Sequence, residues 1–289
     1  MDFLGKEQSP LTFEEWNQLE KAIIEVAKKT LVCRRFMPVV GPRRFMPVVG
    51  PIGVGHQVIS YDVYLGVEPG VCEVRPGEES EQCEPVRTVK RRHIVLPTIY
   101  KPFSISWMDL EYYRQFNLPI DTASAAAFAT AVAEDTLIIH GNPTLEIEGL
   151  LTVEGRQTMS MSDWDVLGNA FNDISLGIAK LSEKGFYGDY YLILNPKDYF
   201  KLNRVYHNTG LLEIEQIRKL VKDIYYTPIM PESKALLISA GPQNMDIVIG
   251  LDFSLAYVES TNVVHNFRVM EIVAPRIKRP GAILVIGEK

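Results

Sequence analysis

A nine-residue segment is repeated without change near the N-terminus. Residues 34–42 and 43–51 both read Arg-Arg-Phe-Met-Pro-Val-Val-Gly-Pro. Each copy carries two prolines, and proline lacks a backbone N–H and clashes with the preceding helical turn, so no helix continues through the segment. The segment is also shorter than the roughly 20–50 residues of a solenoid repeat, although one extra copy, if extended, adds up to about 30 Å of chain. The repeat therefore separates an N-terminal element from the body of the fold.

The two copies compete for one place in that fold, because they carry the same side chains. We expect the second copy to lead into the first sheet through residues 50–53, Gly-Pro-Ile-Gly, with the extra loop upstream of it. Two origins of the repeat fit the sequence: a duplication in the gene without functional meaning, or a selected change at a functional surface.

The composition excludes several functional classes. The chain has 289 residues, of which 46% are hydrophobic and 23% charged, as in globular proteins with a large core. A formal charge of −6 argues against a general nucleic-acid binder, because such proteins carry a basic excess. No apolar run reaches the roughly 20 residues of a membrane helix, and residues 1–8 lack a signal-peptide core. Three cysteines make no disulfide framework, so we expect a cytosolic protein.

Two helices are predicted in the N-terminal half. Thr12 and Glu15 form a capping box, after which apolar residues recur at helical spacing: Trp16, Leu19, Ile23 and Val26. An alanine-rich helix is predicted over residues 122–139. Small residues on most of its sides let other elements approach closely, so we expect it to be a buried spine.

A β-arm is predicted between these helices. Residues 57–65 have the composition of a strand, residues 66–85 are rich in Gly, Pro and acidic residues, and basic residues then lead into strand-like residues up to Trp107. Such a polar hairpin cannot bury a core of its own, so we expect it to rest on a neighbouring subunit or to remain a solvated hairpin. Cys72 and Cys83 lie in the acidic stretch, and either a disulfide or two free thiols fits.

The C-terminal half alternates helix and strand patterns from residue 144 to about 245, which predicts a compact α/β lobe. Four strand-like segments follow, at 247–251, 255–258, 267–273 and 282–286. The fold class is therefore α+β. The five histidines have no metal-ligand spacing, and neither a phosphate loop nor a nucleophile elbow is present. We predict no catalytic residue, no metal site and no cofactor.

Stretches along nearly the whole chain match one known family: residues 2–4, 9–12, 31–42, 97–107, 203–206, 212–218, 244–246, 256–257, 265–269 and 276–283. On these residues the chain resembles a family 1 encapsulin, a nanocompartment shell protein related to the major capsid proteins of tailed phages. The resemblance implies an HK97 phage-like capsid fold and a self-assembling icosahedral shell.

The resemblance also implies a division into domains. These are the N-terminal helix with the repeated nonamer leading into the peripheral domain (1–56), the extended arm (57–106), the peripheral domain with the spine helix (107–143), the axial α/β domain (144–245) and the return of the peripheral sheet (246–289).

Two sites follow from the resemblance. A C-terminal peptide of the cargo docks between the N-terminal helix and the peripheral sheet, at positions that match Leu31, Arg34, Arg35, Phe36, Met37, Asp252, Leu255 and Tyr257. The pore loop at the five-fold axis matches Tyr206, His207, Asn208, Thr209 and Gly210, so that His207 forms a ring that tunes the passage of ions.

The implied function is therefore encapsulation of a cargo enzyme in the cytoplasm. The resemblance favours a ferritin-like, iron-storing cargo, with a dye-decolourising peroxidase as the alternative. Neither nucleic acid nor membrane is expected as a partner. Two other functions are weighed against this one: a phage or prophage major capsid protein, and a soluble oligomeric α/β enzyme.

Overall fold

A computed structural model describes residues 3–41, 58–65, 87–116, 120–205 and 210–288. The chain divides into two units, each with its own sheet. Unit 1 comprises Met1–Gln57, Val95–Gly149 and Asp246–Pro275, and unit 2 comprises Val58–Ile94, Leu150–Met245 and Arg276–Lys289.

The α-helices of the described residues are α1 (Phe13–Thr30), α2 (Trp107–Phe116), α3 (Ile120–His140), α4 (Asn169–Glu183), α5 (Pro196–Lys201) and α6 (Glu213–Ile217). The strands are β1 (Val39–Val40), β2 (Val58–Leu65), β3 (Arg87–Val95), β4 (Thr98–Ser106), β5 (Gly141–Asn142), β6 (Ile147–Glu148), β7 (Gln157–Met159), β8 (Tyr190–Leu194), β9 (Asp223–Tyr226), β10 (Ala235–Ser239), β11 (Met245–Ser260), β12 (Val264–Ile277) and β13 (Ile283–Ile286).

Unit 1 contains a four-stranded sheet with the order β1-β11-β12-β4. The short strand β1 is parallel to β11, with Val39 opposite Ile247. Strand β12 is antiparallel to β4, from the pair Val264–Ser106 to the pair Ile272–Thr98. The two strands predicted at 247–251 and 255–258 are one continuous strand, β11.

Helix α1 begins and packs as its sequence predicts. The Glu15 backbone N–H donates to Thr12 Oγ1, and the Thr12 backbone N–H donates to Glu15 Oε2 at 2.7 Å, so the capping box is present. The apolar face of α1 is buried against small residues of α3 and apolar residues of the sheet. The buried α1 and α3 residues of this cluster are Trp16, Leu19, Ile23, Ala27, Ala123, Ala126, Ala127 and Ala131.

Helix α3 is the buried spine that its alanines predict. Alanine side chains let α1 and α3 lie close together, and ten residues of α3 are buried. By length and composition α3 alone, among the described residues, could cross a membrane, but more than half of its most apolar window is buried inside the fold. A core helix passes the same test, so this is weak support for a membrane span.

The paired part of the predicted arm is shorter than residues 57–106. Strands β2 and β3 form a two-stranded sheet, in which Arg91 Nε lies 2.8 Å from Asp62 Oδ1. The chain leaves this hairpin at Pro97, whose carbonyl accepts the Val273 N–H, and β4 then joins the sheet of unit 1. Proline has no N–H to continue a ladder, which explains the break. Residues 66–86, with Cys72 and Cys83, lie outside the described residues.

Unit 2 contains a five-stranded mixed sheet with the order β7-β13-β10-β8-β9. Helix α4 packs closely on this sheet at Gly177, which has no side chain. A Cβ there would lie 2.8 Å from Leu284 Cδ2 and 3.0 Å from Leu237 Cδ2. The last strand, β13, lies inside this sheet, whereas the sequence placed 246–289 in the returning sheet. All four residues of β13 are buried, and a strand without alternation needs cover on both faces.

Candidate functional site

A buried charge cluster lies just beyond the end of α1. Arg34 of the first nonamer is 8% exposed, and its guanidinium donates to three carboxylates. Nε and Nη2 donate to Glu134 at 2.7 and 2.8 Å, Nη1 donates to Asp252 at 2.8 Å, and Nη2 also donates to Glu271 at 2.8 Å. These carboxylates belong to α3, β11 and β12, so one side chain joins three elements of unit 1.

Asp135, the neighbour of Glu134 on α3, holds the backbone that carries Arg34. Its Oδ2 accepts the Val32 N–H at 2.8 Å, and its Oδ1 accepts the Cys33 N–H at 3.0 Å. Burial raises the pKa of the Cys33 thiol well above its ordinary value, and the Asp135 carboxylate raises it further. Cys33 is therefore a protonated packing residue.

The cluster contains more carboxylates than cations, and burial favours their neutral forms. Burial raises the pKa of Glu271 well above its ordinary value of 4.5, and the nearby Glu134 carboxylate raises it further. Burial also raises the pKa of Glu134, although Arg34 opposes this. Glu271 Oε1 has no hydrogen-bond partner among the described residues. Burial beside a second carboxylate therefore disfavours the charged form of Glu271.

Residues of the first nonamer pair with the sheet of unit 1. Residues 50–53 lie outside the described residues, so the expectation that the second copy leads into the sheet through them stays a prediction. β1 belongs to the first copy, and the Ile247 N–H donates to the Pro38 carbonyl at 2.8 Å. The residue that precedes each copy favours the first copy at this position. A slip by nine residues would put Pro42 in the place of Cys33, and proline has no N–H to donate to Asp135. A buried carboxylate would then lose one donor. The second copy, residues 43–51, lies outside the described residues.

The eight predicted docking residues all lie in unit 1, but most of them do not form a surface. Arg35 is exposed and Tyr257 is half-buried. The other six are buried within the chain itself: Leu31, Arg34, Phe36, Met37, Asp252 and Leu255. Arg34 and Asp252 bind each other, and Leu31 and Leu255 belong to the apolar core. These six side chains are therefore occupied by contacts within the chain and are not exposed to a ligand in this structure.

The hydroxyl of Tyr257 belongs to a chain of hydrogen bonds that its sequence position does not reveal. Tyr257 Oη lies 2.7 Å from Ser260 Oγ, which lies 2.6 Å from His265 Nδ1. The Tyr257 N–H donates to the Leu4 carbonyl at 2.8 Å, so the N-terminal segment lies along this end of β11. Among the other predicted docking residues, Arg35 Nη2 donates to the Lys29 carbonyl at 2.8 Å.

The predicted pore loop is only partly described. Four of its residues lie outside the described residues: Tyr206, His207, Asn208 and Thr209. The fifth, Gly210, has a φ of 68° and open space where a Cβ would be. Positive φ favours glycine, so the loop returns through a residue that suits a tight reversal.

The base of this loop is held by buried polar contacts. Val205 forms an isolated antiparallel bridge with Leu212. Glu213 is fully buried; its Oε2 accepts from Arg204 Nη2 at 3.3 Å, and its Oε1 accepts the Gly168 N–H at 3.0 Å. The ends of the loop are therefore fixed by unit 2. No group of three or more His, Cys, Asp or Glu in the described ranges is placed to hold a metal.

Comparison with known proteins gives a family match over nearly the whole chain. The profile of a family described as "Encapsulating protein for peroxidase" matches residues 1–42 and 43–274. The match is interrupted at the junction of the two nonamers. The type 1 encapsulin shell protein EncA of Myxococcus xanthus is 38% identical over 288 residues, which cover 99% of this chain and 96% of EncA. A ferritin-like-encapsulin shell fusion protein of Pyrococcus furiosus is 29% identical over 70% of this chain and 55% of the fusion.

Solved structures agree on the fold. A virus-like particle from Pyrococcus furiosus has a TM-score of 0.73 at 24% identity, over 95% of this chain and 98% of the particle's chain. The capsid of the Myoviridae phage XM1 has a TM-score of 0.59 at 14% identity, over 80% and 86% of the two chains. The predicted capsid fold is confirmed. The phage likeness shows the fold alone.

Replacing Arg34 with Met should destabilise unit 1 by about 3–5 kcal/mol, because the buried carboxylates lose the one cation that the described residues place among them. Arg43 occupies the same position in the second copy and is the matched control, so Arg43→Met should leave the unfolding free energy nearly unchanged. Chemical denaturation followed by circular dichroism measures both. Equal free energies of unfolding for the two single variants would contradict a specific role of Arg34. Loss of stability in the double variant alone, Arg34→Met with Arg43→Met, would show that Arg43 can replace Arg34 in the cluster.

Replacing Glu271 with Gln should make the free energy of unfolding less dependent on pH above 4.5. The folded-state pKa of Glu271 lies above its ordinary value, so its contribution is complete below pH 4.5 and is lost as pH rises through the folded pKa. Gln keeps the neutral form throughout. The denaturation midpoint of the wild type should therefore fall relative to that of Glu271→Gln as pH is raised. Glu259→Gln, at an exposed carboxylate of β11, is the control; parallel pH curves for all three proteins would contradict the assignment.

Proposed function

The chain belongs to the encapsulin family of shell proteins, and from this we propose that its shell takes up a ferritin-like cargo through a C-terminal peptide of the cargo. Support comes from the ferritin-like-encapsulin fusion protein among its relatives. The family description names a peroxidase, so a dye-decolourising peroxidase is the alternative cargo. We propose that the shell is cytoplasmic and that the chain itself performs no catalysis.

The proposed docking surface is narrower than the set of eight residues. It consists of the exposed Arg35 and the half-buried Tyr257, above a floor that includes Leu31 and Leu255. Arg34, the residue before Arg35, binds Asp252 of β11. From Asp252 to Tyr257 the strand β11 spans about 17 Å. This length suits a short extended peptide. The aromatic ring supplies an apolar contact and the guanidinium binds a carboxylate, so the surface fits a peptide with apolar anchors and an acidic group.

The domain names can be applied to the two units. We propose that unit 1 is the peripheral domain and that residues 150–245 of unit 2 are the core of the axial domain. The hairpin of β2 and β3 is then the described part of the arm. The axial domain carries the loop from Tyr206 to Gly210, which we propose lines the pore at the five-fold axis. The fixed base at Arg204 and Glu213 supports this role, because a ring of loops needs a defined orientation.

Cargo docking is tested by loading. Fluorescent proteins that carry the C-terminal tails of a ferritin-like protein and of a dye-decolourising peroxidase from the same genome are co-expressed with the shell. Loss of one hot-spot aromatic weakens binding by about 30-fold, so Tyr257→Ser should purify as assembled shells with little fluorescence, and Arg35→Ala should show a partial loss. Tyr112→Ser, at an exposed tyrosine of α2, is the matched control. Unchanged loading of Tyr257→Ser shells would contradict the proposed surface.

The pore proposal is tested by iron uptake into shells loaded with ferritin-like cargo. Five copies of His207 around the proposed pore, protonated below a pH of about 6.5, would repel Fe²⁺. Uptake of iron by wild-type shells should therefore slow at acidic pH. His207→Ala should lose most of this pH dependence. The same cargo in dissociated shells shows how far the cargo itself depends on pH. Identical uptake curves for wild-type and variant shells would exclude a role for His207.

A further inference from the structure

The N-terminal segment lies on the aromatic ring of the proposed docking surface. Residues 3–9, here called the strap, precede α1 and contain a short 3₁₀ helix, Lys6–Gln8. The Tyr257 N–H donates to the Leu4 carbonyl at 2.8 Å. A Cβ at Gly5 would lie 3.4 Å from both Cβ and Cδ1 of Tyr257, so the strap backbone packs directly on that ring. The strap therefore covers part of the surface that we propose for the cargo peptide.

Gly5 permits this close approach. Its φ of 66° lies in the left-handed region, which favours glycine. A Cβ at this position would also lie 3.0 Å from the carbonyl oxygen of Tyr257, which is tighter than ordinary van der Waals contact. The backbone comes this near to β11 because position 5 has no side chain. A side chain there would push the strap away from Tyr257.

The other end of the strap is fixed to helix α1. Lys6 Nζ lies 4.3 Å from the centroid of the Phe13 ring. Leu11 and Trp16, on either side of the N-cap residue of α1, are both buried in the core cluster, in the positions of a hydrophobic staple. These contacts do not involve residues 3–5. Local opening of a segment requires the loss of its own contacts alone, so residues 3–5 can leave Tyr257 while α1 stays folded.

The strap has the chemistry that the proposed surface fits. That surface suits a peptide with apolar anchors and an acidic group. The start of the chain reads Asp2-Phe3-Leu4, an acidic residue followed by two apolar ones. Leu4 packs on the same core cluster as Tyr257, whereas Phe3 is 55% exposed, so opening of the strap removes little apolar area of Phe3 from contact. A segment of this chain therefore lies where a ligand of the same class would bind.

We propose that the strap is an internal competitor, which occupies the Tyr257 end of the docking surface in the empty shell and is displaced by the cargo peptide. This inference rests on the proposed cargo docking and adds its regulation. A segment of the same chain has a high effective concentration at its site. A strap that is closed in about nine of ten subunits lowers the apparent affinity for a peptide about tenfold. The strap thus raises the affinity that a cargo peptide needs for loading.

Deletion of residues 2–4 tests this. Shells are reassembled from dissociated subunits in a titration of a dye-labelled peptide, the C-terminal tail of a ferritin-like protein from the same genome. The deletion removes the Leu4 carbonyl and side chain, so the peptide concentration for half-loading should fall about tenfold. Gly5→Val, which places a side chain against Tyr257, should act in the same direction. Gln8→Ala, at an exposed residue of the strap, is the matched control and should load like the wild type.

Unchanged or weaker loading of both the deletion variant and Gly5→Val overturns the proposal. Tyr257→Ser in the same titration separates this failure from failure of the docking surface. If Tyr257→Ser loads weakly while the strap variants load like the wild type, the docking surface stands and the competitor does not. If Tyr257→Ser itself loads like the wild type, both are overturned.

A second measurement does not depend on the deletion. Leu4→Cys, in a chain with Cys72 and Cys83 changed to serine, is treated with a maleimide dye in empty shells and in shells saturated with the same tail peptide. Displacement of the strap exposes the half-buried position 4, so labelling should be about tenfold faster in the saturated shells. The parent chain without the new cysteine gives the background from the buried Cys33. Equal or slower labelling in saturated shells overturns the proposal.

Discussion

The guanidinium of Arg34 is the interaction on which unit 1 depends. Removing carboxylates from water is costly unless a cation and hydrogen bonds replace the solvent, and the three carboxylates of the cluster come from α3, β11 and β12. The observed placement of the segment after α1 satisfies them and also gives Asp135 the N–H groups of Val32 and Cys33. That placement determines where β1 joins β11 and which side chains of the segment after α1 are buried.

Much of the secondary structure could be predicted from local patterns. The capping box, the alanine-rich spine and the strands β8 and β10 follow from periodicity and propensity. The long strand β11 was predicted as two strands, 247–251 and 255–258, with Asp252 and Ser254 in the gap between them. In the fold both are buried, and Asp252 faces inward to bind Arg34. A polar residue in a strand is informative only when its partner is known, and that partner is more than 200 residues away.

The sequence indicated where along the chain the candidate docking residues lie, but not which of them are buried. Resemblance to a family over short stretches of sequence pointed to the docking residues. Composition and spacing did not. Spacing does not show whether an arginine faces solvent or a buried counter-charge. One signal was present: Glu134 and Asp135 interrupt an otherwise small and apolar helix. Two acids in a buried spine require donors from elsewhere, and the arginine-rich segment after α1 was the nearest candidate.

The Cys33 N–H that donates to Asp135 distinguishes two otherwise identical segments by the residue that precedes them. The two copies of the repeat are therefore not equivalent, because the backbone N–H that favours the first copy belongs to the residue just before it.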